Sequence, residues 1–332
     1  MRPPSSDDSS ASPPLAYCPV MRPLLRLATS LAAVLVALTL GGCVSMQPWS
    51  AVRATLPAGE LLDVGGQAVH VEQSGAGEPL VLLHGFGEST YSYRLIAPEL
   101  AARYRVIAVD LNGFGYTERL RDPAAYTIDG QMRLVLGVLD RLGVDSAHFV
   151  GHSYGGGLTL WIAAHHPERV RSMALLDSTM PRYSATRRSR SANLRALTYV
   201  YLRTVAMRPG YIQKGLRASY GDDALATSEV TRAYLDRLRV EGIDDAYYGL
   251  MAKNGAPSPE IDLAAIRLPA LLVWGRDDTL TPLANGERIA AGLPDARLAV
   301  IPDCGHSPME ERPRELLAEL LPFLDAQPAA GR

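Results

Sequence analysis

The chain has 332 residues, of which 47% are hydrophobic and 20% are charged, a balance typical of a globular protein with a sizeable core. Its formal net charge of -2 gives no electrostatic reason to expect binding to nucleic acid. Three cysteines are too few for a disulfide framework, and neither the CxxC nor the HExxH spacing of common zinc sites occurs.

The first 43 residues are predicted to be a disordered leader followed by a targeting signal. Residues 1–20 are rich in Ser and Pro and lack apolar periodicity, which is typical of disorder. Two arginines then precede the charge-free run 31–40, which has the length of a signal-peptide core rather than of a membrane span. Either Met1 or Met21 is the start of the natural chain.

The end of this run, "LGGC", resembles the lipobox of bacterial lipoproteins. In that family the cysteine, here Cys43, is lipidated and becomes the mature N-terminus. Val44 stands where an aspartate would indicate inner-membrane retention, so the resemblance implies a lipid-anchored protein of the cell envelope, with the outer membrane favoured. The alternative is an uncleaved anchor helix in which Cys43 has no role. Residues 44–59 are predicted to be a tether.

Strand-like and helix-like segments alternate after residue 60. Apolar runs predict strands at 69–71, 80–83, 106–109, 147–150, 173–176, 270–274 and 298–301. Helical periodicity predicts helices at 128–142, 158–165, 285–291 and 313–324. This alternation favours an α/β fold with a mostly parallel central sheet and helices on both faces. We assign residues 60–179 and 263–326 to this core.

The alternation stops in residues 180–262, which we predict to form a helical cap inserted into the core. Segments 193–205 and 229–238 have helical periodicity, and no convincing strand pattern occurs. An insertion of this size between two strands is usually functional. Residues 181–220 contain nine basic and no acidic side chains. They form either a solvated helix face or a face that rests on anionic lipid headgroups.

The segment "FVGHSYGGGL" carries the strongest chemical signal in the sequence. Ser153 lies between Gly151 and Gly155, in the Gly-x-Ser-x-Gly pattern of a sharp strand-to-helix turn that projects a nucleophile clear of the main chain. An apolar strand precedes this serine and a helical segment follows it, as the motif requires. The alternative is a glycine-rich turn with an inert serine.

A nucleophilic serine needs a base and an orienting acid, which are expected downstream after later strands. His306, in "DCGHSP", follows the last predicted strand and is the expected general base and acid. Asp278, in "WGRDD", is the expected orienting carboxylate. Asp277 is its neighbour, and Asp177, at the end of "MALLD", is a rival for the same role.

The segment "HGFG" after an early strand predicts one side of an oxyanion hole. The main-chain N–H groups of Phe86 and Tyr154 are the expected donors. The remaining histidines show no metal-ligand spacing, and His84 and His152 are interpreted as structural. The sequence predicts neither a metal nor a cofactor.

Five segments occur in the order in which one family carries them: "HGFG", "VDLNGFGYTE", "GHSYGG", "WGRDD" and "CGHSPMEERP". From about residue 60 to residue 323 the chain resembles the α/β-hydrolase fold superfamily. The resemblance implies this fold and a Ser153, His306 and Asp278 triad, in the branch of esterases, lipases and carbon–carbon hydrolases with an inserted lid. Some relatives carry the acid after the earlier strand, so Asp177 remains open.

The expected function is that of a serine hydrolase that cleaves carboxylic esters, from small acyl esters to lipids, through an acyl-enzyme. One alternative is a carbon–carbon bond hydrolase, although these often carry Asn where His152 stands. An acyltransferase of the same fold and a non-catalytic binding scaffold are the others. Expected partners are the ester substrate and a membrane, reached through the lipidated N-terminus.

Overall fold

A mixed sheet is the centre of the molecule. The computed structural model of the protein describes residues 44–180, 192–251 and 261–327, so the predicted leader and Cys43 lie outside the described residues. Within these ranges eight strands form one sheet: β1 (Glu60–Val64), β2 (Gln67–Ser74), β3 (Glu78–Leu83), β4 (Tyr104–Val109), β5 (Ala147–His152), β6 (Val170–Leu176), β7 (Ala270–Gly275) and β8 (Ala296–Ile301).

The strand order in this sheet is β1-β2-β4-β3-β5-β6-β7-β8. β1 is antiparallel to β2, and β2 is antiparallel to β4. The strands from β3 to β8 run parallel to one another. Side chains alternate between two hydrophobic clusters: Val81 and Leu83 lie in one, while Leu80 and Leu82 lie in the other. A strand that is buried on both faces consists of a continuous apolar run, which is why "LVLL" predicted a strand.

Helices cover both faces of this sheet. Those of the core are α1 (Trp49–Ala54), α2 (Ala97–Ala101), α3 (Ile128–Arg141), α4 (Tyr154–His165), α9 (Leu283–Gly292), α10 (Pro308–Glu311) and α11 (Pro313–Asp325). α3, α4 and α9 contribute to the first cluster, and α2 and α11 to the second. The predicted α/β-hydrolase fold, with a mostly parallel sheet between two helical layers, is confirmed.

The cap consists of helices that pack on the first cluster. They are α5 (Ala192–Tyr201), a π-helical turn (Leu202–Ala206), α6 (Pro209–Ser219), α7 (Ser228–Leu238) and α8 (Ile243–Met251). The segment predicted as one helix at 193–205 is therefore interrupted, and the π turn directs Leu202 and Ala206 into the core. Across the ranges given above, none of the helices combines the length and apolarity that crossing a bilayer requires.

The segment 44–59, predicted as a tether, contains α1 and packs on the cap. The N–H of Val44 donates to Arg203 O at 2.9 Å, and Gln47 exchanges main-chain hydrogen bonds with Arg239 and Glu241. Val52 on α1 is buried in a small cluster with Tyr116 and Val240. Val44 also contacts the main core, so the apolar side chains of this segment hold it against the folded protein.

Close approach of α4 to the sheet requires glycine at residue 155. A Cβ at this position would lie 2.1 Å from the main-chain oxygen of Leu83 in β3. No rotamer of an added side chain avoids a clash with main-chain atoms. Gly155 therefore allows the nucleophile turn to sit directly on the central strand.

Replacing Gly155 by Ala should destabilise the protein, because the new methyl group meets this main-chain oxygen. We expect the free energy of unfolding to fall by about 1–3 kcal/mol. Gly215→Ala is the matched control, since Gly215 lies inside α6 with nothing within 4 Å of an added Cβ. Its free energy of unfolding should rise by about 0.5–1 kcal/mol. Urea unfolding measures both changes, and equal losses in the two variants would contradict this packing.

Candidate active site

Ser153 occupies the junction of β5 and α4 in a strained conformation, with φ 48° and ψ -111°. Such a conformation costs about 1–3 kcal/mol and persists only where neighbouring groups impose it. Here the N–H of Ser153 donates to Leu176 O at 2.9 Å, and its carbonyl accepts from the N–H groups of Gly157 and Thr179. Hydrogen bonds from β6, from α4 and from the loop after β6 thus hold this turn in place.

His306 and Asp278 form a buried pair at the ends of β8 and β7. The Nδ1 atom of His306 lies 2.7 Å from Asp278 Oδ2, and the N–H of His306 donates to Ser219 O of the cap at 2.8 Å. Asp278 Oδ1 accepts from the N–H groups of Leu280 and Thr281, and Oδ2 also accepts from the Thr281 hydroxyl at 2.6 Å. The ring is therefore oriented by a carboxylate that is itself fixed.

The ionisation of Asp278 follows from these contacts. Burial by itself raises the pKa of a carboxyl, but the hydrogen bond and charge of His306, together with the bonds from Thr281, outweigh burial and lower the pKa of Asp278 to about 2. Asp278 is therefore an anion at neutral pH, which is the state that orients and stabilises an imidazolium.

The two other candidate acids differ from Asp278 in position and charge. Asp277 is exposed. Asp177 is fully buried, its Oδ1 accepts from the N–H of Gly275 at 2.9 Å, and its Oδ2 has no hydrogen-bond partner among the described residues. Burial, and then the charge of Asp278, raise the pKa of Asp177 well above its usual range. Asp177 therefore holds its proton more strongly than Asp278 does.

Asp177, Asp278 and His306 are the described group whose ligand atoms, all within 4.8 Å of one another, resemble a metal site. The donor set does not suit a cation, because both oxygens of Asp278 already accept hydrogen bonds and burial raises the pKa of Asp177. These contacts instead suit a network that holds protons.

Phe86 and Tyr154 flank Ser153 from two segments. Phe86 lies in the loop after β3 and lines the same cavity as Ser153 and His306. Tyr154 is the first residue of α4, so its N–H belongs to a helix N-terminus, where partial positive charge gathers. His84 fixes the loop: its Nδ1 lies 2.8 Å from Gly85 O and its Nε2 accepts from the N–H of Leu111 at 3.0 Å.

The cavity at Ser153 has a volume of about 490 Å³ and lies between the sheet and the cap. Most of its wall is apolar or aromatic, with contributions from Phe114, Met207, Leu216 and Leu238. Its described lining residues include neither Lys nor Arg. The side chains at its rim remain exposed: Phe86, Tyr211 and Leu280.

Two residues of the site were not singled out from the sequence. Thr281 bonds Asp278, and its hydroxyl lies 3.3 Å from His306 Nδ1. Glu88, three residues after Gly85, accepts the N–H of Gly85 at 2.8 Å and pairs with His152. The only sequence signal for either was a polar residue within a few positions of a predicted site loop.

A serine on a strained strand-to-helix turn, with a paired histidine and carboxylate at later strand ends, defines an α/β hydrolase. Residues 78–313 match the family described as the alpha/beta hydrolase fold, and the chain belongs to this family. It is therefore a hydrolase of the α/β fold.

Its relatives act on different substrates. The chain is 31% identical over 280 residues to the dihydrolipoyllysine-residue acetyltransferase component of an acetoin cleaving system from Pseudomonas putida, over 82% of this chain and 70% of that protein. It is 31% identical to a 2-hydroxymuconate semialdehyde hydrolase from a Pseudomonas species, over 73% of this chain and 84% of that protein. A solved meta-cleavage product hydrolase from Pseudomonas fluorescens superposes with a TM-score of 0.68 at 27% identity, over 81% of this chain and 98% of that chain.

Replacing each buried carboxyl by its amide separates their roles. Asp278→Asn should lower kcat for hydrolysis by about 10⁴, because the amide no longer holds the imidazole in the required tautomer. Asp177→Asn should change kcat less than about tenfold, since an amide resembles a neutral carboxyl and still accepts the N–H of Gly275. A larger loss at Asp177 would show that it is the functional acid.

The pH dependence of stability checks the protonation of Asp177 separately. In the unfolded chain this carboxyl ionises near its ordinary pKa of 3.8, whereas the folded chain keeps it protonated to higher pH. The wild type therefore loses stability as pH rises above 3.8, and Asp177→Asn removes that contribution. Chemical unfolding measured at pH 5 and pH 8 should show that the free energy of unfolding decreases less with pH in Asp177→Asn than in the wild type.

Proposed function

We propose that this protein hydrolyses carboxylic esters whose acyl groups are uncharged and mainly apolar, with Ser153 as nucleophile. His306 removes the serine proton as Oγ attacks the ester carbonyl, and Asp278 stabilises the resulting imidazolium. The main-chain N–H groups of Phe86 and Tyr154 hold the oxyanion. His306 then protonates the departing alcohol, and a water molecule activated by the same imidazole releases the acid from the acyl-enzyme.

The observation that supports this substrate class is the charge of the cavity. No Lys or Arg is among its described lining residues, and its one carboxylate, Glu88, is already bonded to His152. Burying a substrate carboxylate there without a partner would cost several kcal/mol. Uncharged acyl groups instead gain from contact with the aromatic and aliphatic wall.

A second candidate is hydrolysis of a carbon–carbon bond in a ring-fission product, which the names of several relatives favour. The 2-hydroxymuconate semialdehyde hydrolase and the 2-hydroxy-6-oxononadienedioate hydrolase are named for substrates that are carboxylates. Their substrates would therefore place a negative charge in or beside the cavity. The cavity chemistry and the relatives thus favour different reactions, and one assay distinguishes them.

The assay compares p-nitrophenyl pentanoate with p-nitrophenyl hemisuccinate, which has a similar size but carries a carboxylate, and with a 2-hydroxy-6-oxo-dienoate. We expect the kcat/KM for pentanoate to exceed that for hemisuccinate by about 100-fold, because a buried unpaired charge opposes binding. Dienoate cleavage that is faster than pentanoate hydrolysis would overturn the ester proposal.

Ser153→Ala is the control for every substrate in this comparison. It should lower kcat by about 10⁶, as loss of a triad serine does elsewhere. A fluorophosphonate should label the wild type at Ser153 and leave the variant unlabelled. An unlabelled wild type would instead favour the binding-scaffold alternative.

We also propose that Cys43 is lipidated and that the cap faces the membrane. Cys43 is joined by one peptide bond to Val44, whose N–H donates to Arg203 O on the cap. Large apolar side chains are exposed on the same part of the cap: Leu197, Tyr199, Val205 and Tyr211. Arg195 and Arg203 pair with Asp245 and Asp244 of α8, so apolar contact contributes more to this surface than those two charges do.

Cys43→Ser should release the protein from the membrane fraction of a bacterium with the lipoprotein pathway, because no acyl group can be attached. Cys304→Ser is the control, because Cys304 is the other cysteine of the predicted mature chain, and it should leave membrane attachment unchanged. Mass spectrometry of the N-terminal peptide should show an acylated cysteine at residue 43 in the wild type. An unmodified Cys43 in membrane-bound protein would refute the anchor.

A further inference from the structure

His152 directly precedes the nucleophile and is fully buried. Its Nε2 atom lies 2.6 Å from the main-chain oxygen of His306, and its Nδ1 atom lies 3.0 Å from Glu88 Oε2. A carbonyl oxygen only accepts hydrogen bonds, so Nε2 carries a proton. Glu88 Oε2 also accepts the N–H of Gly85, as an ionised carboxylate does, so Nδ1 donates as well. His152 is therefore an imidazolium.

The electrostatics of this pair agree with that geometry. Burial opposes both charges, yet the charge and hydrogen bond of His152 lower the pKa of Glu88 to about 2. The same partner, helped by the His306 carbonyl, raises the pKa of His152 above its usual value despite burial. The charges of His84, Asp278 and Glu310 also act on this pair, and three tyrosines lie within electrostatic reach of Glu88: Tyr93, Tyr220 and Tyr234.

The pair connects the three segments that carry the reacting groups. Glu88 accepts from Gly85, and the N–H of Glu88 donates back to Gly85 O at 3.3 Å, which closes the turn that presents Phe86. His152 is bonded to Ser153 in the chain, and its ring reaches the main chain of His306. The His152 and His306 rings lie 4.8 Å apart, so a shift of one displaces the other.

A buried histidine between two acceptors is not by itself functional, and the chain contains a second one. His70 is also fully buried, with Nδ1 2.6 Å from Asp110 Oδ2 and Nε2 2.9 Å from Ala58 O. Neither acceptor belongs to a residue that carries a reacting group. The two histidines therefore differ in the segments they join and share the same local chemistry.

We propose that His152 and Glu88 are positioning residues, which set the distance of the His306 imidazole and of the oxyanion loop from Ser153. The proposal rests on the proposed serine-hydrolase mechanism. Loss of either partner breaks the same connection and lets the base move relative to the nucleophile. A displacement of 1 Å at this point costs about 100-fold in rate. Glu88 also lines the cavity, whereas His152 is not among the lining residues, so the effect on KM is judged with the His152 variant.

The test compares His152→Gln, Glu88→Gln and the double variant with His70→Gln, all in the mature protein. We expect kcat for pentanoate ester to fall about 100-fold in His152→Gln, with KM changed less than about threefold. The double variant should be no slower than the slower single variant, because both changes break one connection. His70→Gln should lose as much resistance to urea as His152→Gln does, while its kcat stays within about threefold of the wild-type value.

The rate of fluorophosphonate labelling at Ser153 provides a readout that does not depend on the natural substrate. It should fall with kcat in both site variants and remain unchanged in His70→Gln. The proposal is overturned if His152→Gln and His70→Gln lose equal activity, or if the effects of the two site changes add. If His152→Gln does not fold, Glu88→Gln decides alone, because the amide keeps the shape of the carboxylate.

The outcome with Ser153→Ala separates this proposal from the proposed function. If that variant remains active on the esters, the mechanism is wrong. If it is inactive while His152→Gln and Glu88→Gln keep wild-type kcat, only the positioning role fails.

Discussion

Three main-chain hydrogen bonds hold the strained backbone at Ser153 in place, and the arrangement of the site depends on this turn. An L-residue at φ 48° is unfavourable in isolation, so the turn exists because β6, α4 and the loop after β6 all hydrogen-bond to this residue. Glycine at 155 removes the side chain that would push α4 away from β3. The packing of the core therefore maintains the strained turn that places Ser153 at the cavity.

Burial makes the charges around this turn unequal. Histidines lower the pKa values of Asp278 and Glu88, whereas burial and the charge of Asp278 raise the pKa of Asp177, which has no cationic partner among the described residues. The pKa values of carboxyls around the turn at Ser153 thus differ, because they depend on hydrogen bonds and neighbouring charge. The raised pKa of Asp177 reduces its competition with Asp278 for the charge of His306.

The cap forms much of the cavity wall beside Ser153, and neither Lys nor Arg is among the described lining residues. The fold is shared with carbon–carbon hydrolases, but a shared fold does not specify a substrate. The cavity wall combines side chains from the cap, such as Met207 and Leu238, with Phe114 from the core. An apolar wall of this kind selects by shape and by the cost of burying charge.

Local sequence determined the elements and the nucleophile, and tertiary structure determined the connections. The central strands and the turn at Ser153 were predictable because continuous apolar runs and paired glycines act over a few residues. The edge strand β1 and the π turn in the cap were not, since exposure and packing against the core define them. Asp177 and Asp278 both follow buried strands, and only the folded loops show which one meets His306. The two acceptors of His152 lie 64 and 154 residues away in sequence, so no local pattern contained that contact.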